Sequence, residues 1–186
     1  MAALGNAVDT RLRPDFERAG VTYPPARLVM VAFKAEKRLE LYGPDATGRL
    51  QRMRSYPILA ASGGPGLKLR EGDEQVPEGF YRIESLNPNS RFHLSLRVNY
   101  PNEEDIARAR AENCDLSMLG GDIMIHGGAA SIGCLAMGDP AAEDLFVLVQ
   151  RTGLDNVALL MTPSDLRNKT PDSPLNQRLL EALREL

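Results

Sequence analysis

An α+β fold, mostly β-sheet with flanking helices, is what the sequence predicts, on three observations. Short apolar and β-branched runs recur from Arg27 onward at strand length, among them RLVMVAF (27–33), KRLELYG (37–43) and NVALLMT (156–162). Gly, Pro, Asn and Asp clusters separate them, as turns require. Helical stripes are confined to the two ends and two interior segments.

Taken in order, residues 6–20 carry Val8, Leu12 and Phe16 four apart, a helical stripe that Pro14 should start late or kink. The runs 27–33 and 37–43 read as strands of a hairpin-rich sheet, with Tyr42-Gly43-Pro44-Asp45 and Gly48 supplying turn chemistry. RLQRMRSYPIL adds a further strand. The segment SGGPGLKLREGDEQVPEG (62–79) cannot sustain a ladder and is expected as a loop over a cleft. FYRIES (80–85) and FHLSLRVNY, ending at Tyr100, alternate as two half-buried strands joined through Asn87-Pro88-Asn89-Ser90. Asn102 caps a short helix, EEDIARARAE, with acids in its first turn. DIMIH (122–126) returns to a strand. Asp139-Pro140 reads as N-cap and first turn of the helix AAEDLFVLVQRT, 156–162 as a buried strand, and the end segment LNQRLLEALREL as a peripheral helix.

With 186 residues, 43% of them hydrophobic, the chain can bury a core in one domain, or one domain with a terminal arm. A net charge of −3 with scattered basic residues gives no footprint for a phosphate backbone, so nucleic acid is not an expected partner. No apolar run is long enough to cross a bilayer, and the first residues lack the basic flank and apolar stretch of a secretory signal. A chain soluble as it stands is expected; composition does not give its compartment. Cys114 and Cys134 match no CxxC pattern and no disulfide framework, although one bridge is open to them.

The chemistry-bearing segment is IMIHGGAASIGCLAM (123–137). An ordinary thiol is mostly protonated at neutral pH, so a cysteine nucleophile needs an imidazole or another positive influence beside it. His126 ends an apolar run, Gly127 and Gly128 let the backbone leave sharply, and Gly133 precedes Cys134, where main-chain N–H groups could line an oxyanion hole. On spacing alone a satisfied strand-end histidine and a small buried cysteine are the commoner interpretation. A metal site from His93, His126 and Cys134 lacks ligand spacing and a fourth partner, and GGPGLKLREG matches neither phosphate-binding glycine pattern, so no metal and no cofactor is expected.

The whole segment, however, resembles the active-site motif of the L,D-transpeptidase catalytic domain (YkuD-type) family, a His-Gly pair followed by Ser-x-Gly-Cys. VPEGFYRI (76–83) is similar to that family's Thr-Pro-x-Gly-x-Phe-x-Ile segment, and the loop, FHLSLRVNYPN and the short gap between His126 and Cys134 resemble its YafK-like branch. The likeness covers about residues 27 to 162. It implies an L,D-transpeptidase-like β-sandwich over 27–168, between an N-terminal helical arm (1–26) and a C-terminal helical segment (169–186). It further implies Cys134 as nucleophile, His126 as its base, the Gly127 carbonyl as the group that orients the imidazole, and the Gly133 and Cys134 amides as oxyanion hole. His93, Ser131 and Arg97 are then assigned to substrate binding. The substrates implied are peptidoglycan stem peptides, with or without an attached protein or amino acid, in the periplasm or cell envelope, or reached by export. One departure stands out: Ala136 occupies the place where typical members carry an arginine. The YafK-like branch tends to lack it too and includes hydrolases, so an amidase or carboxypeptidase is narrowly preferred to a transpeptidase that cross-links or exchanges amino acids. A non-catalytic peptidoglycan-binding module is the third alternative.

Overall fold

The computed structural model describes residues 2–186. Helix α1 (Ala2–Ala19) comes first, then strands β1 (Leu28–Phe33), β2 (Arg38–Pro44), β3 (Leu50–Pro57), β4 (Gly79–Ser90) and β5 (His93–Val98). There follow α2 (Glu103–Ala111), β6 (Met124–His126), β7 (Leu135–Ala136), α3 (Asp139–Thr152), β8 (Val157–Thr162) and α4 (Pro174–Arg184). The strand order is β3-β2-β1-β8-β4-β5-β6-β7, antiparallel except for β1 with β8 and β6 with β7. Strand β4 belongs to two sheets: Gly79–Arg82 pairs with β8, and Ile83–Ser90 pairs with β5. This is the expected α+β architecture.

Why β1 reads as an unbroken apolar run is plain from its neighbours. Leu28, Met30 and Ala32 join the main core with Leu145 and Leu148 of α3, while Val29, Val31 and Phe33 face Leu179, Leu180 and Leu183 of α4. A strand covered on both faces has no polar alternation to show. Helix α4 therefore closes the outer layer of the sheet, a larger role than its peripheral reading.

Helix α1 is continuous across Pro14 rather than beginning after it. Its buried stripe, Val8, Leu12 and Phe16, lies on both sides of the proline. Burying each such side chain contributes roughly 1.5–3 kcal/mol, enough together to outweigh a proline cost of about 3 kcal/mol. Arg11 Nε donates to the buried Asp144 of α3 at 2.8 Å, and Tyr56 Oη donates to the same carboxylate at 2.9 Å.

The hairpin between β4 and β5 turns later than Asn87-Pro88-Asn89-Ser90. Strand β4 continues to Ser90, and the reversal falls at Arg91-Phe92. The register slips between Asn87 and Ser90, and at such an irregularity Pro88 need not donate to the ladder.

The long loop 59–78 is irregular, as expected, but anchored from beneath. Buried Lys34 donates to Val76 O at 2.7 Å and to Glu78 Oε1 at 2.9 Å, and Gly66 N–H donates to the same Glu78 oxygen at 2.8 Å. Burial holds the Lys34 ammonium below its ordinary pKa, with the Glu78 carboxylate opposing that shift. Lys34→Met leaves a buried carboxylate without its cation and should destabilise the protein by roughly 3–5 kcal/mol. Urea denaturation checks this, and the double variant Lys34→Met/Glu78→Leu should recover part of the loss.

Candidate active site

Strand register brings the motif together. In the parallel pair β6/β7, Ile125 lies opposite Leu135 and His126 opposite Ala136. Ile125 and Leu135 are buried in the main core, so alternation turns His126 of β6 to the other face, while Cys134 lies in the bend immediately before β7. Arg97 pairs with Met124, and Ser95 with His126, on the facing strand β5. Arg97 and Met124 thus lie in one row across two strands, next to the row of Leu96, Ile125 and Leu135.

His126 is 3% exposed, and its Nδ1 lies 2.6 Å from Gly127 O. A carbonyl can only accept, so Nδ1 carries the proton and Nε2 is left as the basic nitrogen. The Phe92 ring stacks on the imidazole, centroids 4.7 Å apart, although Phe92 itself is half exposed. Gly127 is closely hemmed in: a Cβ there would lie 2.5 Å from Asp139 Oδ1 and 2.7 Å from Phe92 O.

Cys134 is partly buried and free, as is Cys114. Its Sγ is turned toward Asp122 O at 3.6 Å. Among the described residues the thiol and the His126 ring are not hydrogen-bonded to each other; each points to a main-chain oxygen. Burial pushes the thiol above its ordinary pKa, and the Asp122 charge adds to this, while a main-chain hydrogen bond from Met124 and the Lys68 charge oppose it. In this state the sulfur is a neutral thiol that needs a base.

The remaining sequence-derived residues fall as follows. Gly133, at φ 104°, donates its N–H to Ser62 Oγ at 2.6 Å, so a hydroxyl from the long loop occupies that amide. Ser131 Oγ donates to Cys134 O at 2.5 Å and fixes the turn around the cysteine. Arg97 pairs with Asp122 at 2.7 Å and Glu84 at 3.1 Å. His93, at φ 71°, reaches Glu143 of α3 at 3.0 Å rather than the sulfur.

Four residues that sequence reasoning passed over surround the pair. Asp122 holds the thiol through its carbonyl and Arg97 through its carboxylate. Phe92 was expected to begin a strand, but it sits in the turn before β5. Ser62 lay hidden in a glycine-rich loop. Asp139 was expected as the N-cap of α3, but Gly138 is the N-cap, and Asp139 Oδ1 instead accepts from Gly128 N–H at 2.9 Å. Gly138, at φ 76°, supplies the reversal that an aspartate would adopt with strain. No cluster of three or more His, Cys, Asp or Glu that could hold a metal occurs among the described residues.

The model of the YkuD family, the L,D-transpeptidase catalytic domain, matches residues 27–163. The chain belongs to this family. Over 119 residues this L,D-transpeptidase domain is 38% identical to the YafK protein of Escherichia coli (strain K12), covering 63% of this chain and 45% of that protein. The same figures hold for YafK of Escherichia coli O157:H7. The chain thus spans about half the length of the curated relatives it matches. Among solved structures, it is similar to the helical cell shape determining protein Pgp2 from Campylobacter jejuni, with TM-score 0.60 and 21% identity, over 83% of this chain and 52% of that one. Bd1075 of Bdellovibrio bacteriovorus gives TM-score 0.54 and 20% identity, over 89% and 58%. These two likenesses show a shared fold, which the family match identifies as L,D-transpeptidase-like, and the identity to YafK bears out the expected branch.

Proposed function

We propose that this domain is a peptidoglycan-modifying cysteine enzyme that cleaves or transfers stem-peptide acyl groups through an acyl-Cys134 intermediate, with hydrolysis preferred. The observation that carries this is the 2.6 Å contact of His126 Nδ1 with Gly127 O, which leaves Nε2 as the basic nitrogen of the ring. Family membership supports it independently. Residues 27–168 form the catalytic domain in this reading, with 1–26 and 169–186 as flanking helical segments.

The chemistry runs through two acyl transfers. Rotation of the Cys134 side chain away from Asp122 O brings Sγ toward Nε2, which takes the thiol proton as sulfur attacks the peptide carbonyl carbon. The carbonyl oxygen, now negative, displaces the Ser62 hydroxyl from Gly133 N–H and is held there and by Cys134 N–H. The His126 imidazolium then gives its proton to the departing amine, the C–N bond breaks, and a thioester remains. Water, deprotonated by His126, attacks the thioester; the acid is released and the thiol re-forms. A second amine in place of water would give transpeptidation.

Arg97 is the cation placed to receive a substrate carboxylate, in the absence of an arginine at Ala136. Its ion pairs with Asp122 and Glu84 are solvent-exposed, and such pairs are worth about 0–1 kcal/mol, so a substrate carboxylate exchanges with them at small cost. Ser131 acts by holding the turn at Cys134, and His93 lines the α3 side of the cleft. Since peptidoglycan lies outside the cytoplasmic membrane, the periplasm or envelope is the place of action in this reading.

Mass spectrometry of muropeptides after incubation with purified peptidoglycan tests the proposal. Released peptides, amino acids or attached groups, lost with Cys134→Ala, support hydrolysis. New cross-links or exchanged residues would establish transpeptidation instead, and an unchanged muropeptide profile would leave only a binding module.

A further inference from the structure

We propose that Asp139 is a positioning residue for His126, acting through the single peptide group between Gly127 and Gly128. The inference rests on His126 serving as the base for Cys134. The carbonyl of this peptide group, Gly127 O, faces His126 Nδ1 at 2.6 Å, and its N–H, on Gly128, donates to Asp139 Oδ1 at 2.9 Å. Imidazole, peptide and carboxylate therefore form one hydrogen-bonded chain. A histidine oriented by main chain alone is, on this geometry, one peptide removed from an acid.

The surrounding backbone keeps the chain in line. Met137 N–H donates to His126 O and Gly138 N–H to Gly128 O, both at 2.8 Å, so the two residues just before Asp139 are fastened to the residues that flank Gly127. Space is reserved for the carboxylate as well: a Cβ on Gly127 would sit 2.5 Å from Asp139 Oδ1. Helix capping does not account for the side chain, because the N-cap is Gly138 and α3 has no side-chain cap bond.

Consecutive hydrogen bonds polarise one another. When the peptide N–H donates to an anion, the carbonyl at its other end becomes a stronger acceptor for Nδ1–H. The gain is largest when His126 has taken the thiol proton, because the imidazolium then donates to a carbonyl biased by a negative charge. Asp139 touches neither substrate nor sulfur; it works through the tautomer, orientation and proton affinity of the imidazole.

Two substitutions and two readouts test this. Asp139→Ala removes the acceptor, whereas Asp139→Asn keeps an oxygen for Gly128 N–H and removes the charge. The titration of His126 is followed by NMR in a Cys134→Ala background, free of coupling to the thiol. Steady-state kinetics is measured in the otherwise native enzyme. His126 should titrate at lower pH in both variants, by about half a pH unit or more, and the acid limb of kcat/KM should move the same way. Asp139→Ala should lower kcat about tenfold with little change in KM, and Asp139→Asn should restore part of that loss. An unchanged His126 titration in the soluble, folded Asn variant would overturn the inference, whether or not activity falls. The NMR readout separates this from failure of the proposed function: an active Cys134→Ala enzyme sinks the nucleophile assignment, while the titration still reports on the Asp139 chain.

Discussion

Cys134→Ala should abolish turnover of stem-peptide substrates, by on the order of 10⁴-fold or more, while leaving the fold intact. Loss of a nucleophile is not a partial defect, since the thioester has no other atom on which to form. The substitution removes one partly buried sulfur whose hydrogen bond to Asp122 O is long, 3.6 Å, so its stability effect should be small. Cys114 is the internal control. It is free, and Cys114→Ala should retain activity. Muropeptide release by each variant, beside its thermal melt, checks both statements.

Gly127→Ala carries the second large effect, and for a steric reason. The new methyl group would lie 2.5 Å from Asp139 Oδ1, 2.7 Å from Phe92 O and 3.1 Å from His93 Cβ. The Phe92 carbonyl belongs to the main chain at the β4/β5 turn and cannot swing aside as a side chain could. The loop must move, carrying Gly127 O away from His126 Nδ1. A displacement on the order of 1 Å at a catalytic group costs about 10²-fold, and overpacking adds roughly 1–3 kcal/mol of destabilisation. Gly128→Ala makes the contrast. Its φ of 71° makes any side chain strained, at roughly 1–2 kcal/mol, but the nearest atom to its Cβ is Phe92 Cδ1 at 3.9 Å. Stability should fall at both glycines, and kcat far more at Gly127.

The legible part of the fold was the part with local periodicity. Strands β1, β2 and β8 and the capped helix α2 follow from apolar runs and from Asn102, whose side chain accepts from Glu104 and Asp105 N–H as its sequence context implies. Strand β7 is two residues long and exists only because it lies parallel to β6, so it left no pattern of its own. Pro14 misleads for a related reason: a local propensity was outweighed by burial against α3, a partner more than 120 residues away in the chain. The β4/β5 turn was misplaced because Asn87-Pro88-Asn89 has turn chemistry, yet the irregular pairing absorbs it within the strand.

At the candidate site, the motif made His126, Gly127, Gly133 and Cys134 readable, and the resemblance gave them roles. It did not convey what they touch. The contacts of Asp122, Phe92, Ser62 and Asp139 depend on register, on a hairpin turn, on the path of a loop and on which residue begins α3. None of these is periodic in sequence. Ser62 and Gly133 are 71 residues apart, and only the loop tethered by Lys34 and Glu78 brings them together.

The central claim is that acyl transfer passes through Cys134, and acid-quenched turnover mixtures test it most directly. Stem-peptide substrate is mixed with enzyme, quenched in acid during turnover, and the digested protein is mapped by mass spectrometry. A substrate acyl group in thioester linkage on the peptide containing Cys134, absent from Cys114 and accumulating when water attack is slowed, is the predicted result. Sustained turnover with Cys134 never labelled, or equally fast in Cys134→Ala, would contradict it.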